Sequence, residues 1–500
     1  MRGLRPFAQS QVLCPKARIV HAGTKSTPRA HRSRRRSLFE SLQPCPHRVS
    51  HRESHSVRHE LLTKLHPLAA TANFSCHSVV ISVLIWHSWQ DRAAPDMPFS
   101  RNIVLLLCAG VVTITSIGMN SFSLFLRPIE TEFGWSRTTA TVPYLFGMLG
   151  WGVGGVLFGK LADDVGARRV ILAGILLMAG GFFGMGLSQN LWQLSLSFGI
   201  MVGLAKGAAG LVIISLLVAK HYDANRRGLA VSVIQTASPL SPVFFSPLLY
   251  FLIERFDWRA AALASGVLLV AVAFPLGWLG ARDPNDVATA RRDRASWGSC
   301  LPYLRDRSMI MMFAARFSCG VALFQTVHLV AIALSKGFDA ATGAIAVGVF
   351  GGAAAVSALF FGWLSDRYGR AQVLALTYLV RGLGTLVLAL DMPNEFFFYA
   401  VVALAMGPTF GTIAVQNVMF YEIVGPRMAG VILGLSFIVH QIGSAGGPML
   451  ASLAYDMTGS YDGFMIIMGF ILLASAALVY STISGKPIAA AALNMSEART

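Results

Sequence analysis

The sequence predicts an all-α membrane protein whose twelve transmembrane helices form two six-helix bundles. Of the 500 residues, 54% are hydrophobic and only 13% are charged, whereas a soluble domain carries about 25% charged residues. The apolar residues are gathered into twelve runs of roughly 20 residues, the length that crosses hydrocarbon as a helix. Helices are required because lipid offers no partners to backbone N–H and C=O groups. A loop motif also recurs in both halves of the chain, which predicts two related bundles.

Residues 1–96 are expected to form a disordered basic extension. They hold 15 Lys and Arg against 5 Asp and Glu, and they show no sustained helical or strand periodicity. Their basic region is too long for a secretory signal. We expect translation to begin at Met97, so that the extension is a mis-assigned start; an organelle transit peptide is the alternative.

The spans lie on the apolar runs, and the polar segments between the runs are the loops. In chain order the predicted spans are 102–126, 139–160, 169–188, 191–219, 228–253, 259–280, 308–334, 343–364, 371–390, 395–420, 428–453 and 461–483. The predicted domains are an N-terminal bundle at 97–280, a cytoplasmic linker at 281–307, a C-terminal bundle at 308–485 and a cytoplasmic tail at 486–500.

The basic residues of the loops predict the orientation. With the N-terminus in the cytoplasm, the inward-facing segments of residues 97–500 carry 18 Lys and Arg and the outward-facing loops carry 5. The positive-inside rule therefore places both termini in the cytoplasm and the protein in the cell (inner) membrane. Basic patches are also typical of nucleic-acid-binding proteins. Here the basic residues sit at helix ends, so the bilayer is the expected partner and nucleic acid is not.

Two loops share one motif. G-x-L-A-D-x-x-G-x-R-R follows the second span at 159–169, and G-x-L-S-D-R-x-G-R follows the eighth at 362–370, so that Asp163 and Asp366 are 203 residues apart. The motif resembles the signature loop of the major facilitator superfamily, which implies the major facilitator fold and two cytoplasmic gate clusters. The implied gate residues are Gly159, Asp163, Gly166, Arg168, Arg169 and Arg227, with Gly362, Asp366, Arg367, Gly369, Arg370, Glu422 and Arg427. A role in topology alone is the alternative for these charges.

Three looser motifs resemble the monocarboxylate and oxalate-formate antiporter-like branch of that superfamily. They are Phe133-Gly134-Trp135-Ser136-Arg137 after the first span, Lys220-His221-Tyr222 with Arg226-Arg227-Gly228-Leu229-Ala230 at the fifth, and Gly446-Gly447-Pro448 with Asp456-Met457-Thr458-Gly459-Ser460-Tyr461 at the eleventh. They indicate a branch and not a substrate.

Ionisable residues inside spans are costly, so each is a candidate for function. The predicted spans contain Lys206, Arg316, Arg381, His328 and His440, and no Asp or Glu lies clearly inside one. A cavity with cations and no carboxylates attracts anions, and the guanidinium fork of Arg suits a carboxylate. We therefore predict Lys206, Arg316 and Arg381 as substrate-binding residues. His328 and His440 are predicted to handle protons, because only histidine titrates unperturbed near neutral pH.

Each candidate has a plainer interpretation. Lys206 lies among glycines that allow close helix packing, Arg316 is near enough to a helix end to reach the interface, and Arg381 has the option of pairing within the protein. The uncharged candidates for setting selectivity are Asn120, Gln235 and Gln416. The cysteines form no C-x-x-C pair, and Cys108 and Cys319 are expected to serve in packing.

The sequence thus favours a secondary active transporter that moves a small solute by alternating access, with an organic anion such as a monocarboxylate as the expected substrate. A coupling proton or a counter-anion is the expected further partner. One alternative is a drug or metabolite exporter of the same fold, and another is a non-transporting membrane receptor or sensor. No P-loop is present, so ATP-driven transport is not expected. No nucleophile–base pattern is present either, and we expect no enzyme activity, no cofactor and no metal site.

Overall fold

The computed structural model describes residues 100–282 and 301–481, except the side chains of 224, 225, 426 and 427. The predictions for the basic extension, for most of the linker, for the tail at 486–500 and for the side chain of Arg427 lie outside the described residues.

The described part is all-helical and contains twelve spans, as predicted. Eleven are helices long and apolar enough to cross a membrane. The twelfth is the first span in the chain, which is divided into shorter helices and begins with the apolar helix Arg101–Thr115. We label the spans α1 (Arg101–Thr115, Ile117–Asn120 and Phe122–Phe133), α2 (Arg137–Val165), α3 (Ala167–Leu187), α4 (Leu191–Ala219), α5 (Ala224–Arg255), α6 (Trp258–Gly280), α7 (Arg307–Ser335), α8 (Ala340–Tyr368), α9 (Arg370–Leu388), α10 (Glu395–Gly425), α11 (Met428–Thr458) and α12 (Asp462–Ser481).

Short polar side chains fix where several helices begin. The side chains of Ser136, Asp257, Asp306, Asp339 and Asn394 each accept a hydrogen bond from a backbone N–H in the first turn of the helix that follows. Such caps satisfy donors that have no partner within the helix. The bond from the Thr342 N–H also lowers the pKa of the Asp339 carboxyl, which lies just before α8.

The repeated loop motif has the same backbone in both halves. Gly166 ends α2 with a φ of 94°, and Gly369 ends α8 with a φ of 97°. Only glycine adopts this region of φ without a steric penalty. The matching glycines therefore turn the chain in the same way between α2 and α3 and between α8 and α9.

Small residues allow α2 and α4 to pack backbone to backbone. A Cβ atom added at Gly203 would lie 2.4 Å from the Gly147 carbonyl oxygen, and one added at Gly207 would lie 2.3 Å from the Gly154 carbonyl carbon. Neither distance is possible for a real side chain, so α4 is held against α2 by glycine alone. This contact places Lys206, between the two glycines, beside α2.

The two ends of the molecule differ in how closely the bundles approach. We call the end that carries the Gly166 and Gly369 turns the linker face and the other end the opposite face. On α11, Gln441 and Phe437 contact α2 at Met148 and Trp151. One and two turns closer to the linker face, an added Cβ at Gly434 or Gly430 would meet nothing within 4 Å.

Among the described residues, the start of α5, on the linker face, is also free of contacts with the other bundle. An added Cβ at Gly228 would meet nothing within 4 Å, and Leu229 is 72% exposed. Further along α5, an added Cβ at Gly351 of α8 would meet the Pro239 carbonyl oxygen at 2.5 Å. Within the described residues, the bundles are therefore packed together on the opposite face and separated on the linker face.

Candidate functional site

Lys206 lies in the N-terminal bundle, where α1 is broken. Its Nζ donates to the Ser116 hydroxyl at 2.6 Å and to the Thr115 carbonyl at 3.2 Å. Thr115 ends the first helix of α1 and Ser116 lies at the break. The ammonium also faces the Trp151 ring, 5.5 Å from its centroid. The break thus supplies the acceptors for a lysine that is only 2% exposed.

No carboxylate balances this ammonium. In the described part of the chain, no Asp or Glu lies within ion-pair distance of Lys206, and its two hydrogen-bond acceptors are neutral. Trp151 packs edge-on against Phe437 of α11, with ring centroids 5.6 Å apart. Lys206 is therefore a buried, uncompensated cation directly behind the point where the two bundles meet.

Asn120 and Gln235 lie near this cation but differ in their contacts. The Asn120 amide donates to the Ser238 carbonyl of α5 at 3.1 Å, and the Ser238 hydroxyl lies 2.9 Å from that of Ser116. Asn120 therefore belongs to the hydrogen-bonded surroundings of Lys206. Gln235 is half-buried on α5, one turn closer to the linker face than Ser238.

A second cationic cluster lies inside the C-terminal bundle. Arg316 of α7 is 3% exposed and Arg381 of α9 is 1% exposed. The Arg381 Nη1 donates to the Cys319 sulfur at 3.1 Å, and the Arg316 Nη1 reaches the Gln416 oxygen at 3.4 Å. The Nε atoms of both arginines have no hydrogen-bond partner within the described residues. The structure thus brings three predicted residues, Arg316, Arg381 and Gln416, into one cluster.

Neutral groups surround these arginines. The Tyr378 hydroxyl donates to the Ala315 carbonyl at 2.6 Å, and the Gln416 amide donates to the Met312 carbonyl at 2.9 Å. No carboxylate of the described chain lies within ion-pair distance of either guanidinium. We define the arginine cluster as Arg316, Cys319, Tyr378, Arg381 and Gln416.

His440 lies beside the arginine cluster on α11. Its Nδ1 is 3.2 Å from the Gln441 oxygen and 3.3 Å from the Ser444 hydroxyl, and its Nε2 has no partner in the part of the chain that is described. The imidazole also neighbours the Cys319 thiol. Gln441 in turn donates to the Met148 carbonyl of α2 at 3.2 Å. His440 therefore stands between the arginine cluster and the N-terminal bundle.

His328 is placed differently from His440, on the opposite face. Its Nδ1 is 3.1 Å from the Tyr461 hydroxyl, and its Nε2 is 3.1 Å from the Pro448 carbonyl and 3.2 Å from the Ser452 hydroxyl. The imidazole is fully buried. The structure does not bring it together with Lys206 or with the arginine cluster.

Tyr461 connects His328 to a polar contact between the bundles. Its hydroxyl accepts from Arg137 of α2 at 2.8 Å, and Arg137 also donates to Glu130 at 2.7 Å. Burial raises the pKa of the Tyr461 hydroxyl, so this group stays protonated. The Arg137 guanidinium stacks on the Tyr455 ring, 3.8 Å from its centroid.

Asp456 of α11 caps α2 from the other bundle. Its two carboxylate oxygens accept from the backbone N–H groups of Arg137 and Thr138 at 3.1 and 2.9 Å. Backbone N–H groups at a helix start have no partner within the helix and attract negative charge. We call Glu130, Arg137, Asp456 and Tyr461 the opposite-face latch.

Sequence reasoning did not select the latch, although Arg137, Asp456 and Tyr461 stand in motifs that mark the resemblance. Glu130 lies beyond the predicted end of the first span at residue 126, but the helix continues to Phe133 and buries the carboxylate. The available signal was the pair Glu130 and Arg137, two opposite charges seven residues apart between the first and second spans.

The loops on the linker face hold the predicted gate residues. Arg370 donates to Asp366 at 2.9 Å and to Glu422 at 2.6 Å, so these three form an ion-pair network. Arg168 donates to the Trp278 carbonyl at 3.1 Å, and Asp163, Arg169 and Arg227 are on the exposed surface. Arg367 stacks on Trp363, 5.9 Å from the ring centroid. The glycines of the motif, Gly159, Gly166, Gly362 and Gly369, lie at the ends of α2 and α8.

A cavity of about 400 Å³ lies near the opposite face, between α1, α5, α7 and α8. Its polar lining consists of Arg127, Thr131, Glu132, Tyr250 and Glu254. Lys206 and the arginine cluster are not part of its wall. Among the described residues, no group of three or more His, Cys, Asp or Glu side chains is placed to hold a metal ion.

The relatives that match this chain are named as transporters. The chain is 23% identical over 361 residues to the uncharacterised transporter YcxA of Bacillus subtilis, covering 70% of this chain and 88% of YcxA. It is 25% identical to monocarboxylate transporter 13 of Rattus norvegicus, covering 72% of this chain and 84% of the rat protein. It is 28% identical to monocarboxylate transporter 11 of Mus musculus, covering 62% and 72% of the two chains.

Solved structures support the fold. A bacterial homologue of the human lysosomal transporter Spinster, in an inward-facing and unoccupied conformation, superposes with a TM-score of 0.59 at 15% identity, covering 76% of this chain and 96% of that one. The family model described as Major Facilitator Superfamily matches residues 106–352 and again residues 320–498. Together with twelve spans in two bundles and a repeated loop motif, these matches establish that the chain belongs to the major facilitator superfamily of membrane transporters.

Proposed function

We propose that this transporter is a secondary carrier of small organic anions, with a monocarboxylate as the substrate class. The observation that carries the proposal is the charge of the two buried sites. Lys206 in one bundle and the arginine cluster in the other present three cations, none of which has a carboxylate partner in the described chain. An anion that enters between the bundles would meet both.

The energetic argument favours an anionic ligand over an apolar one. Removing an ion from water costs several kcal/mol even after relaxation, and a paired opposite charge offsets that cost. Charged groups inside membrane spans are for this reason usually functional. A carboxylate bound near Lys206 and Arg316 supplies the missing opposite charge, whereas an apolar drug does not. The names of the relatives, which include three numbered monocarboxylate transporters, support the same substrate class.

The packing of the bundles supports alternating access. The described conformation is closed on the opposite face by the latch and separated on the linker face, so substrate would enter and leave on the linker side. The reverse state requires the latch to break and the linker-face ends of α5 and α11 to approach α8 and α2. The Asp366–Arg370–Glu422 network and Asp163 with Arg227 are the proposed gate elements there. We assign the linker face to the cytoplasmic side of the cell membrane, because the loops on this face carry most of the basic residues.

Counterflow in proteoliposomes tests the substrate class. The purified full-length protein is reconstituted with unlabelled lactate inside, and uptake of labelled lactate, pyruvate and formate is measured alongside uptake of a cationic dye. We expect saturable exchange of at least one monocarboxylate. Dye transport without carboxylate exchange would contradict the proposal and would favour the exporter alternative.

Substitution of Lys206 tests its role in the same assay. Losing a hydrogen bond to a charged group costs about 1.5–3 kcal/mol, so Lys206→Gln should lower carboxylate kcat/KM by about tenfold to a hundredfold. Lys206→Arg keeps the charge and should retain more activity. Lys160→Gln is the matched control, because Lys160 lies exposed on α2 near the linker face. Equal losses for Lys160→Gln and Lys206→Gln would refute a direct role for Lys206.

A further inference from the structure

The arginine cluster contains one side chain whose position is unusual for a packing residue. Cys319 lies three residues after Arg316 on α7, and it is fully buried. Its sulfur accepts from the Arg381 guanidinium at 3.1 Å, a short contact between nitrogen and sulfur. Sulfur is a weak acceptor when it carries a proton, and the thiolate is favoured beside arginine.

The surrounding groups leave few candidates for a balancing negative charge. Two guanidiniums share this low-dielectric region, and both keep an unpartnered Nε. Tyr378 also faces them, but its hydroxyl donates to the Ala315 carbonyl and is therefore protonated. Gln416 is neutral, and His440 from α11 carries either no charge or a positive one. Among the described residues that face the two arginines, only Cys319 remains to carry a negative charge.

Building on the proposed function, we propose that Cys319 is the internal counter-anion and proton acceptor of this carrier. In the empty state its thiolate sulfur accepts a hydrogen bond from Arg381, with Arg316 as a second positive neighbour. A substrate carboxylate that binds the guanidiniums takes over the negative charge, and the sulfur then takes one proton from a hydronium ion. The S–H bond forms, one O–H bond of the hydronium breaks, and neutral water leaves.

The charge balance of this step is closed. Before binding, two guanidiniums and one thiolate give the cluster a net charge of one. After binding, two guanidiniums, one carboxylate and a neutral thiol give the same net charge. One proton therefore enters the cluster with each carboxylate that binds. His440 lies beside Cys319, and the next residue, Gln441, binds the Met148 carbonyl of α2.

Cys108 provides a control inside the same protein. It is also buried in a membrane span, but its sulfur donates to the Gly280 carbonyl at 3.6 Å. A cysteine that donates a hydrogen bond carries its proton. The pair thus offers one expected thiolate beside arginines and one expected thiol without a charged neighbour in the described chain, both buried in membrane spans.

Infrared spectroscopy of the S–H stretch distinguishes the two states directly. Two variants of the full chain are prepared, each with all cysteines replaced by Ser except Cys319 in one and Cys108 in the other. At neutral pH without anion, the Cys108 variant should show an S–H band and the Cys319 variant should show none. Adding saturating lactate, pyruvate or formate should produce one S–H band in the Cys319 variant only. An S–H band from Cys319 in the empty protein would overturn the proposal, whatever the transport assay shows.

Transport measurements separate this proposal from the proposed function. Cys319→Asp keeps a negative charge and a proton acceptor, whereas Cys319→Ser keeps neither charge nor easy titration. We expect carboxylate-driven proton uptake of about one per carboxylate bound in the native protein, a measurable uptake in Cys319→Asp, and an at least tenfold smaller proton uptake per carboxylate bound in Cys319→Ser. Full proton coupling in a well-folded Cys319→Ser protein would refute the role of Cys319 while leaving anion transport intact. Absence of any carboxylate transport would contradict the proposed function, and the empty-state S–H result would still decide the thiolate.

Discussion

The opposite-face latch makes a quantitative prediction about conformational balance. Asp456 is the only member of the latch that binds backbone N–H groups of the other bundle, at 3.1 and 2.9 Å from Arg137 and Thr138. Asp456→Ala removes both bonds and leaves the buried Arg137–Glu130 ion pair within its own bundle. The substitution should therefore weaken the closed opposite face without leaving a buried charge unpaired.

The magnitude follows from the value of a helix cap. Replacing a capping side chain by Ala costs about 0.5–2 kcal/mol, and Asp456 caps two N–H groups with a charged carboxylate that is partly exposed to solvent. We expect about 2 kcal/mol, which changes an equilibrium constant about 30-fold. The population with a separated opposite face should rise by that factor.

Distances between spin labels across the opposite face measure this shift. Labels at Leu187 of α3 and Leu390 after α9 lie on exposed positions of the two bundles. In a cysteine-free background, Asp456→Ala should add a longer-distance population. Asp462→Ala is the matched control, because Asp462 binds Lys336 inside the C-terminal bundle and does not bridge the two. A control variant that opens the face as much as Asp456→Ala would refute the latch, and so would an unchanged distance distribution in Asp456→Ala.

Two further predictions concern packing and pH. Gly207→Ala places a Cβ 2.3 Å from the Gly154 carbonyl carbon, so thermal unfolding in detergent should occur at a clearly lower temperature. Gly434→Ala is the control: its Cβ meets nothing within 4 Å, so the unfolding temperature should stay nearly unchanged or rise. Equal effects of the two substitutions would contradict the tight α2–α4 contact. The hydrogen bond from Thr342 lowers the pKa of Asp339 in the folded chain, so the stabilisation that it gives is present above the unfolded pKa and is lost as pH falls through the folded one. Hydrogen exchange of the first turn of α8 should accordingly accelerate in acid in the native protein and be pH-independent, apart from intrinsic chemistry, in Asp339→Ala; identical profiles would disprove the contribution of the cap.

The sequence predicted the spans well because the membrane imposes one dominant rule. An apolar run of about 20 residues must be a helix in lipid, and the predicted starts and ends of α3, α4 and α6 lie within about two residues of the observed ones. The break of α1 at Ser116 was not predicted. Serine is common in membrane helices, and the sequence alone does not reveal that Lys206, 90 residues away, bonds to that position.

The candidate site was predicted by residue type but not by arrangement. Lys206, Arg316 and Arg381 stood out because charge is rare in a span, but the distances between them could not be predicted. The grouping of the two arginines around Cys319 depends on how α7 packs against α9, which is a tertiary property. For Cys319 the expectation of a packing role was reasonable from apolar neighbours alone. The contact with Arg381 is what distinguishes it from Cys108.

Two helices connect the proposed binding site to the latch. α7 carries Arg316 and Cys319 in its linker-face half and His328 in its other half, and α11 carries His440 and Asp456 in the same relation. An added Cβ at Gly320 of α7 would lie 2.2 Å from the His440 carbonyl oxygen, and one at Gly447 of α11 would lie 2.2 Å from that of Val321. Contacts this close leave no room for the two helices to slide independently.

A change at the arginine cluster is therefore expected to move α7 and α11 as one body. Asp456 lies on α11, and Tyr461 is hydrogen-bonded to His328 of α7. The contacts of Arg137 with Asp456 and with Tyr461 therefore both depend on the position of this body. A ligand shifts a conformational equilibrium only through its different affinity for the two states. An anion that draws Arg316 and Arg381 together in one state but not in the other would thus act on the latch through helix packing, without touching it. Gly447→Ala, which must separate α7 from α11, should weaken this coupling between anion binding and opening of the opposite face more than it weakens anion binding itself.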